Sequence, residues 1–114
     1  MDKLKINLDS ATGYVKNALT SLGYPDNIKV FAYTDDEGNI TYSATYSEFY
    51  HGKLNQYIMP ISKSNFKLFL KLGLENRGYA VDSINSFMTN KGLKFGATVN
   101  IATYGNLKRI KRRK

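Results

Sequence analysis

Ile28-Lys29-Val30-Phe31-Ala32-Tyr33-Thr34, Asp35-Asp36-Glu37-Gly38-Asn39 and Ile40-Thr41-Tyr42-Ser43-Ala44-Thr45-Tyr46 follow one another without a gap. The outer two runs are β-branched and aromatic, and the five residues between them are turn formers, so the stretch predicts an antiparallel hairpin. A third run, roughly residues 54–61, follows His51-Gly52-Lys53 and extends the hairpin into a meander. Side chains alternate across a strand, so Ile28, Val30 and Ala32 point one way while Lys29, Phe31 and Tyr33 point the other. If the first set faces the core, the second is a Lys-Phe-Tyr stripe facing out.

A meander with one apolar face needs a cover, and the flanking sequence supplies it. Upstream, Ala11, Val15, Ala18, Leu19 and Leu22 recur at helical spacing after Asp9 or Ser10 as N-cap, and Gly23 follows as a stop, predicting a helix over residues 10–22. Before it, Leu4, Ile6 and Leu8 alternate with polar residues as in a half-buried strand, or lead into that helix. Downstream, Ser62 or Ser64 caps a helix running to about residue 75, with Phe66, Phe69, Leu70, Gly73 and Leu74 on one face. Asp82 then caps a short helix carrying Ile84, Phe87 and Met88, ended by Asn90-Lys91-Gly92. Leu93, Phe95, Ala97, Val99 and Ile101 close the pattern as one face of a final strand. The order is (β)αβββααβ. This is an α+β fold in which an antiparallel meander and a C-terminal strand pack against two or three helices.

A chain of 114 residues supports one hydrophobic core, and 42% apolar with 13% aromatic residues excludes a disordered polymer. We therefore expect one domain over residues 1–106 and a separate arm over 107–114. With no Cys, disulfide scaffolds, thiol catalysis and Cys-based zinc sites are excluded. No apolar run approaches the roughly 18 residues of a membrane span, and a soluble, cytoplasmic protein is expected.

Charge is concentrated at one end. Of 17 Lys and Arg, six are Lys108, Arg109, Lys111, Arg112, Arg113 and Lys114; the remaining 11 stand against 9 acids and leave only +2. Uncompensated repulsion should keep this arm disordered until a polyanion orders it; nucleic acid is the expected partner, and a solubilising end with no target, anionic lipid or an acidic protein groove are the alternatives. Lys63, Lys67 and Lys71 recur every four residues along the second predicted helix, a spacing that follows a phosphate backbone or simply solvates a helix face. The Lys29, Phe31 and Tyr33 stripe offers what a single strand needs, rings for bases and an ammonium for phosphate, unless the sheet is covered on both faces or the rings serve cross-strand pairs or a protein interface.

The order αβββα over residues 10–75, with lysines at the start of its last helix, is similar to that of the double-stranded-RNA-binding domain, whose final helix presents lysines to phosphates. The Lys-Lys-x-x-Ala-Lys start of that family is replaced here by Ser62-Lys63-Ser64-Asn65-Phe66-Lys67. No RNP pattern, phosphate loop or dinucleotide fingerprint is present. For catalysis the chain offers a single His, His51, with Glu48 and Tyr50 nearby, and no nucleophile elbow. Asp35, Asp36 and Glu37 lack the spacing of a cation loop and read as turn formers. Neither metal nor other cofactor is expected.

The sequence thus points to a small non-catalytic nucleic-acid-binding protein, DNA or RNA. Enrichment in Asn, Lys, Ile and Tyr suits an AT-rich genome, and the rival expectation is a phage- or mobile-element-encoded inhibitor or adaptor of a host protein or nucleoprotein, such as a host-defence nuclease. A phage assembly protein is a third.

Overall fold

The meander forms around the turn that the sequence marks. In the computed structural model, which describes residues 2–90 and 92–99, β2 (Lys29–Thr34), β3 (Ile40–Tyr50) and β4 (Lys53–Ile61) make a three-stranded antiparallel sheet in that order. Asp35 builds the first turn: its Oδ1 accepts from the backbone N–H of Glu37 and of Asn39, both at 2.9 Å, and Gly38 takes φ 85°. The second turn is the two-residue loop His51-Gly52, with φ 52° and 77°. Positive φ at both positions gives a turn whose twist matches paired strands, which is why β3 and β4 stay in register to Tyr50 and Lys53.

The termini supply a second sheet. β1 (Asp2–Asn7), β6 (Gly92–Val99) and β5 (Val81–Thr89) pair antiparallel with β6 in the centre. Over the described residues the order is βαβββαββ, with two helices, α1 (Leu8–Ser21) and α2 (Lys63–Asn76). Residues 82–89, expected as a short helix, are strand β5. The inward residues Val81 and Ile84 are three apart because a bulge at Asp82 resets the alternation, and that spacing imitates a helix. Ser83, Asn85, Ser86 and Thr89 add little helix propensity, while pairing with β6 satisfies their backbone groups.

Asn7, rather than Asp9 or Ser10, caps α1, its Oδ1 accepting from Ser10 N–H at 2.8 Å, so the first strand passes into the helix without a loop. Ser62 caps α2 as expected, accepting from Asn65 N–H at 3.1 Å.

One core joins the two sheets. Both bury a single face under the helix pair: Ile6, Phe95, Ala97 and Val99 from one sheet, Tyr42, Ala44 and Ile61 from the other. Phe66 of α2 bridges them, stacked on Tyr42 at 4.1 Å and tilted against Phe95 at 5.4 Å. Burying such a ring contributes about 1.5–3 kcal/mol, and each aromatic pair adds about 0.5–1.5. The helices themselves meet at Gly73, where a Cβ would stand 2.1 Å from the backbone oxygen of Tyr14, so only glycine permits the approach. Asn76 fastens the same contact, donating to Asn17 Oδ1 and Ser21 Oγ at 3.2 Å each. The molecule is 19 Å thick in its shortest direction, room for one layer of helices on one layer of sheet. Of the inward residues expected from sequence, Ile28, Phe95 and Val99 are buried and Val30 is half-buried against the core, while Ile101 lies outside the described residues. No described helix is long and apolar enough to cross a membrane.

Candidate nucleic-acid interface

With helices on one side only, each sheet keeps an open face. On the meander, the register places Thr45 between Lys29 and Ile58, Ser43 between Phe31 and Pro60, and Thr41 beside Tyr33. The stripe read from sequence is therefore assembled: Phe31 is 43% and Tyr33 57% exposed, and Lys29 is exposed with them. Period-2 alternation is responsible, because burying Val30 and Ala32 forces their neighbours outward. Where β2 begins, Asn27 stands in for a further strand residue. Its amide donates to Ser47 O and accepts from Ser47 N–H, both at 3.0 Å. A cleft of about 400 Å³ opens there beside Lys29, between Thr45, Ser47, Gln56 and Ile58.

Past Asn27, β3 and β4 continue alone as an arm. Its cross-strand pair Phe49 and Leu54 lies on the open face, and Phe49 is 77% and Ile58 76% exposed. On the other face, Tyr46 stacks on Tyr57 at 5.1 Å and meets the edge of Tyr24 at 5.3 Å. Desolvation pushes the Tyr46 hydroxyl pKa up, and the neighbouring Tyr24, Glu48 and Tyr57 push it the same way; burial alone raises that of Tyr42. His51 sits at the arm's tip, against Tyr50 with ring centroids 4.1 Å apart. Among the described residues no group of three or more His, Asp or Glu gathers to hold a metal ion.

The open face of the terminal sheet is a second basic surface. Thr98 stands between Lys3 and Ser83, Gly96 between Lys5 and Asn85, and Lys94 beside Phe87, all pointing away from the buried Ile6, Phe95 and Ala97. Lys3 and Lys5 were readable as the polar half of an alternating strand. Phe87 was not, because residues 82–89 read as a helix with Phe87 on its apolar side. At the paired positions of both open faces there are four lysines and no carboxylate.

Lys63, Lys67 and Lys71 lie in the helix layer, on the opposite side from the aromatic stripe. At about 100° per residue Lys67 and Lys71 flank the buried Phe66 and Leu70, and both are half-buried while Lys63 is exposed. They form a row beside the core rather than a row opposite it, and no single flat surface contains both them and Phe31. Lys108, Arg109, Lys111, Arg112, Arg113 and Lys114, with the expected domain boundary at 106, lie outside the described residues.

The αβββα order is present from Leu8 to Asn76, with both helices on one side of the meander. No protein-family model matches the chain, and neither a curated protein nor a solved structure matches it.

Proposed function

We propose that this is a small non-catalytic nucleic-acid-binding protein that takes single strands on its helix-free side. The observation that carries the reading is the exposure of Phe31 and Tyr33 beside Lys29 on a sheet whose other face is buried. Rings in that position offer their faces to bases, and stacking is worth about 1–3 kcal/mol per base. The absence of carboxylates at the paired open-face positions spares an incoming phosphate backbone local repulsion. Lys63, Lys67 and Lys71 add sequence-independent phosphate affinity from the helix side, and the charge of the basic residues 108–114 adds to it.

Fluorescence anisotropy of a labelled single-stranded oligonucleotide tests this. The double variant Phe31→Ala, Tyr33→Ala should keep its circular dichroism and bind more weakly; unchanged affinity would sink the stacking role. A second reading, an inhibitor or adaptor that docks on a protein, is favoured by the exposed apolar arm with Phe49 and Leu54 and by Ile58 on the same open face. Pull-down from native lysate separates the two. Capture lost on nuclease treatment supports nucleic acid, and a defined protein retained after nuclease supports the adaptor.

A further inference from the structure

The terminal sheet holds a trough of its own, in the middle of its open face. Its floor is Gly96, central in β6, and a volume of about 340 Å³ lies over it between Lys3, Lys5, Ser83, Asn85 and Thr98. Neighbouring strands lie about 4.8 Å apart, so Lys5 on β1 and Asn85 on β5 bracket Gly96 across roughly 10 Å. A Cβ at Gly96 would stand 2.7 Å from Asn85 Oδ1 and 3.6 Å from Phe87 Cε1. The missing side chain is thus what lets the Asn85 amide and the Phe87 ring lean over the central strand, and the ring is still 36% exposed.

We propose that this trough is a second binding site for single-stranded nucleic acid, in which Phe87 stacks a base, Asn85 meets a base edge and Lys3, Lys5 and Lys94 take the phosphates. The proposal rests on the nucleic-acid reading and adds to it a site on a different sheet. Charge decides the occupant. Three lysines and no carboxylate at the paired positions repel a second copy of the same face, and equally repel the chain's own basic residues 108–114. The same chain carries six further positive charges at residues 108–114, which add to its attraction for a polyanion. A flat sheet face with one ring suits an unpaired strand, whose bases are free to splay and stack.

The test is a heteronuclear NMR titration of the full chain with a short oligothymidylate, using polyglutamate as a second polyanion. The expected result is that the amides of Asn85, Gly96 and Thr98 shift with the oligonucleotide and not with polyglutamate. Lys3→Gln with Lys5→Gln, and separately Phe87→Leu, which keeps an apolar side chain over Gly96, should each weaken binding, the latter by about fivefold or more. Shifts confined to Lys29, Phe31 and Tyr33, with trough variants binding as the parent does, overturn the second site and leave the meander platform standing. No binding at either face overturns both. Equal shifts with polyglutamate make the trough a general acidic-polymer site and overturn the stacking assignment. If Phe87→Leu fails to fold, the shift map of the parent chain still decides.

Discussion

Two glycines, one in each helix, should respond to the same substitution with opposite signs. Gly13 in α1 has no atom within 4 Å of where a Cβ would be, so Gly13→Ala gains helix propensity and meets nothing. That gain is about 1 kcal/mol, through reduced freedom of the unfolded chain. At Gly73 in α2 the added carbon would stand 2.1 Å from the Tyr14 oxygen and 2.7 Å from its carbonyl carbon. Ordinary carbon contacts begin near 3.5 Å, so the helices must part by more than about 1 Å. Backbone cannot rotate aside as a side-chain tip can, and the separation is transmitted to Phe66 and the aromatic bridge between the sheets. Overpacking of this kind costs typically 1–3 kcal/mol, and the rigid neighbour puts it at the top of that range or beyond. After the propensity gain the net loss is about 2 kcal/mol. For a domain of this size each kcal/mol moves the midpoint by about 4–8 °C, so Gly13→Ala should raise Tm by several degrees and Gly73→Ala should lower it by roughly 8–16 °C. Thermal and urea unfolding followed by far-ultraviolet circular dichroism measures both. If Gly73→Ala stabilises the protein as Gly13→Ala does, the close helix crossing is wrong, and so is the argument that the helix pair covers one side of both sheets.

Phe95→Ala, at a fully buried ring, should cost about 3–5 kcal/mol in chemical denaturation, whereas Phe31→Ala should cost far less and weaken single-strand binding instead; equal destabilisation would make the stripe core. Because the Tyr42 and Tyr46 pKa values are raised above the ordinary 10.0, the folded state holds protons that the unfolded state releases first. That stability is intact below pH 10 and is lost as pH climbs through the raised values, so the urea midpoint should fall across this alkaline window; a midpoint that rises there contradicts both assignments. Truncation after Leu107 removes six cations and should flatten a log-log salt slope of roughly −5 with little change in Tm; an unaltered slope would remove the basic arm from the interface. Replacing Lys63, Lys67 and Lys71 by Gln should weaken binding equally across sequences, since phosphate contacts carry no base information. Loss of helical signal instead would assign the half-buried Lys67 and Lys71 to packing.

What could be read from the sequence was whatever neighbours in the chain decide. The turn at Asp35 to Asn39, the Ser62 cap, the helical spacing of Val15 and Leu19 and the outward direction of Lys29, Phe31 and Tyr33 all depend on residues within a few positions of one another. Local sterics, capping bonds and period-2 alternation fix such features before any long-range contact forms. Even the start of α1 was nearly legible, Asn7 being as good a cap as the two residues considered in its place.

Tertiary structure alone decided the rest, because the deciding partner lies far away in the chain. β1 finds β6 some 90 residues on, and β6 needs a second neighbour, so residues 82–89 become a strand although Ile84, Phe87 and Met88 have helical spacing. That choice turns Phe87 outward, lets Gly96 floor a trough and brings Lys3 and Lys5 to its rim. Likewise the four-residue spacing of Lys63, Lys67 and Lys71 was in the sequence, but their position beside the core was set by which side of α2 meets α1 at Gly73. A strand's backbone hydrogen bonds are satisfied chiefly by another strand, and where that strand comes from is a property of the fold rather than of the segment.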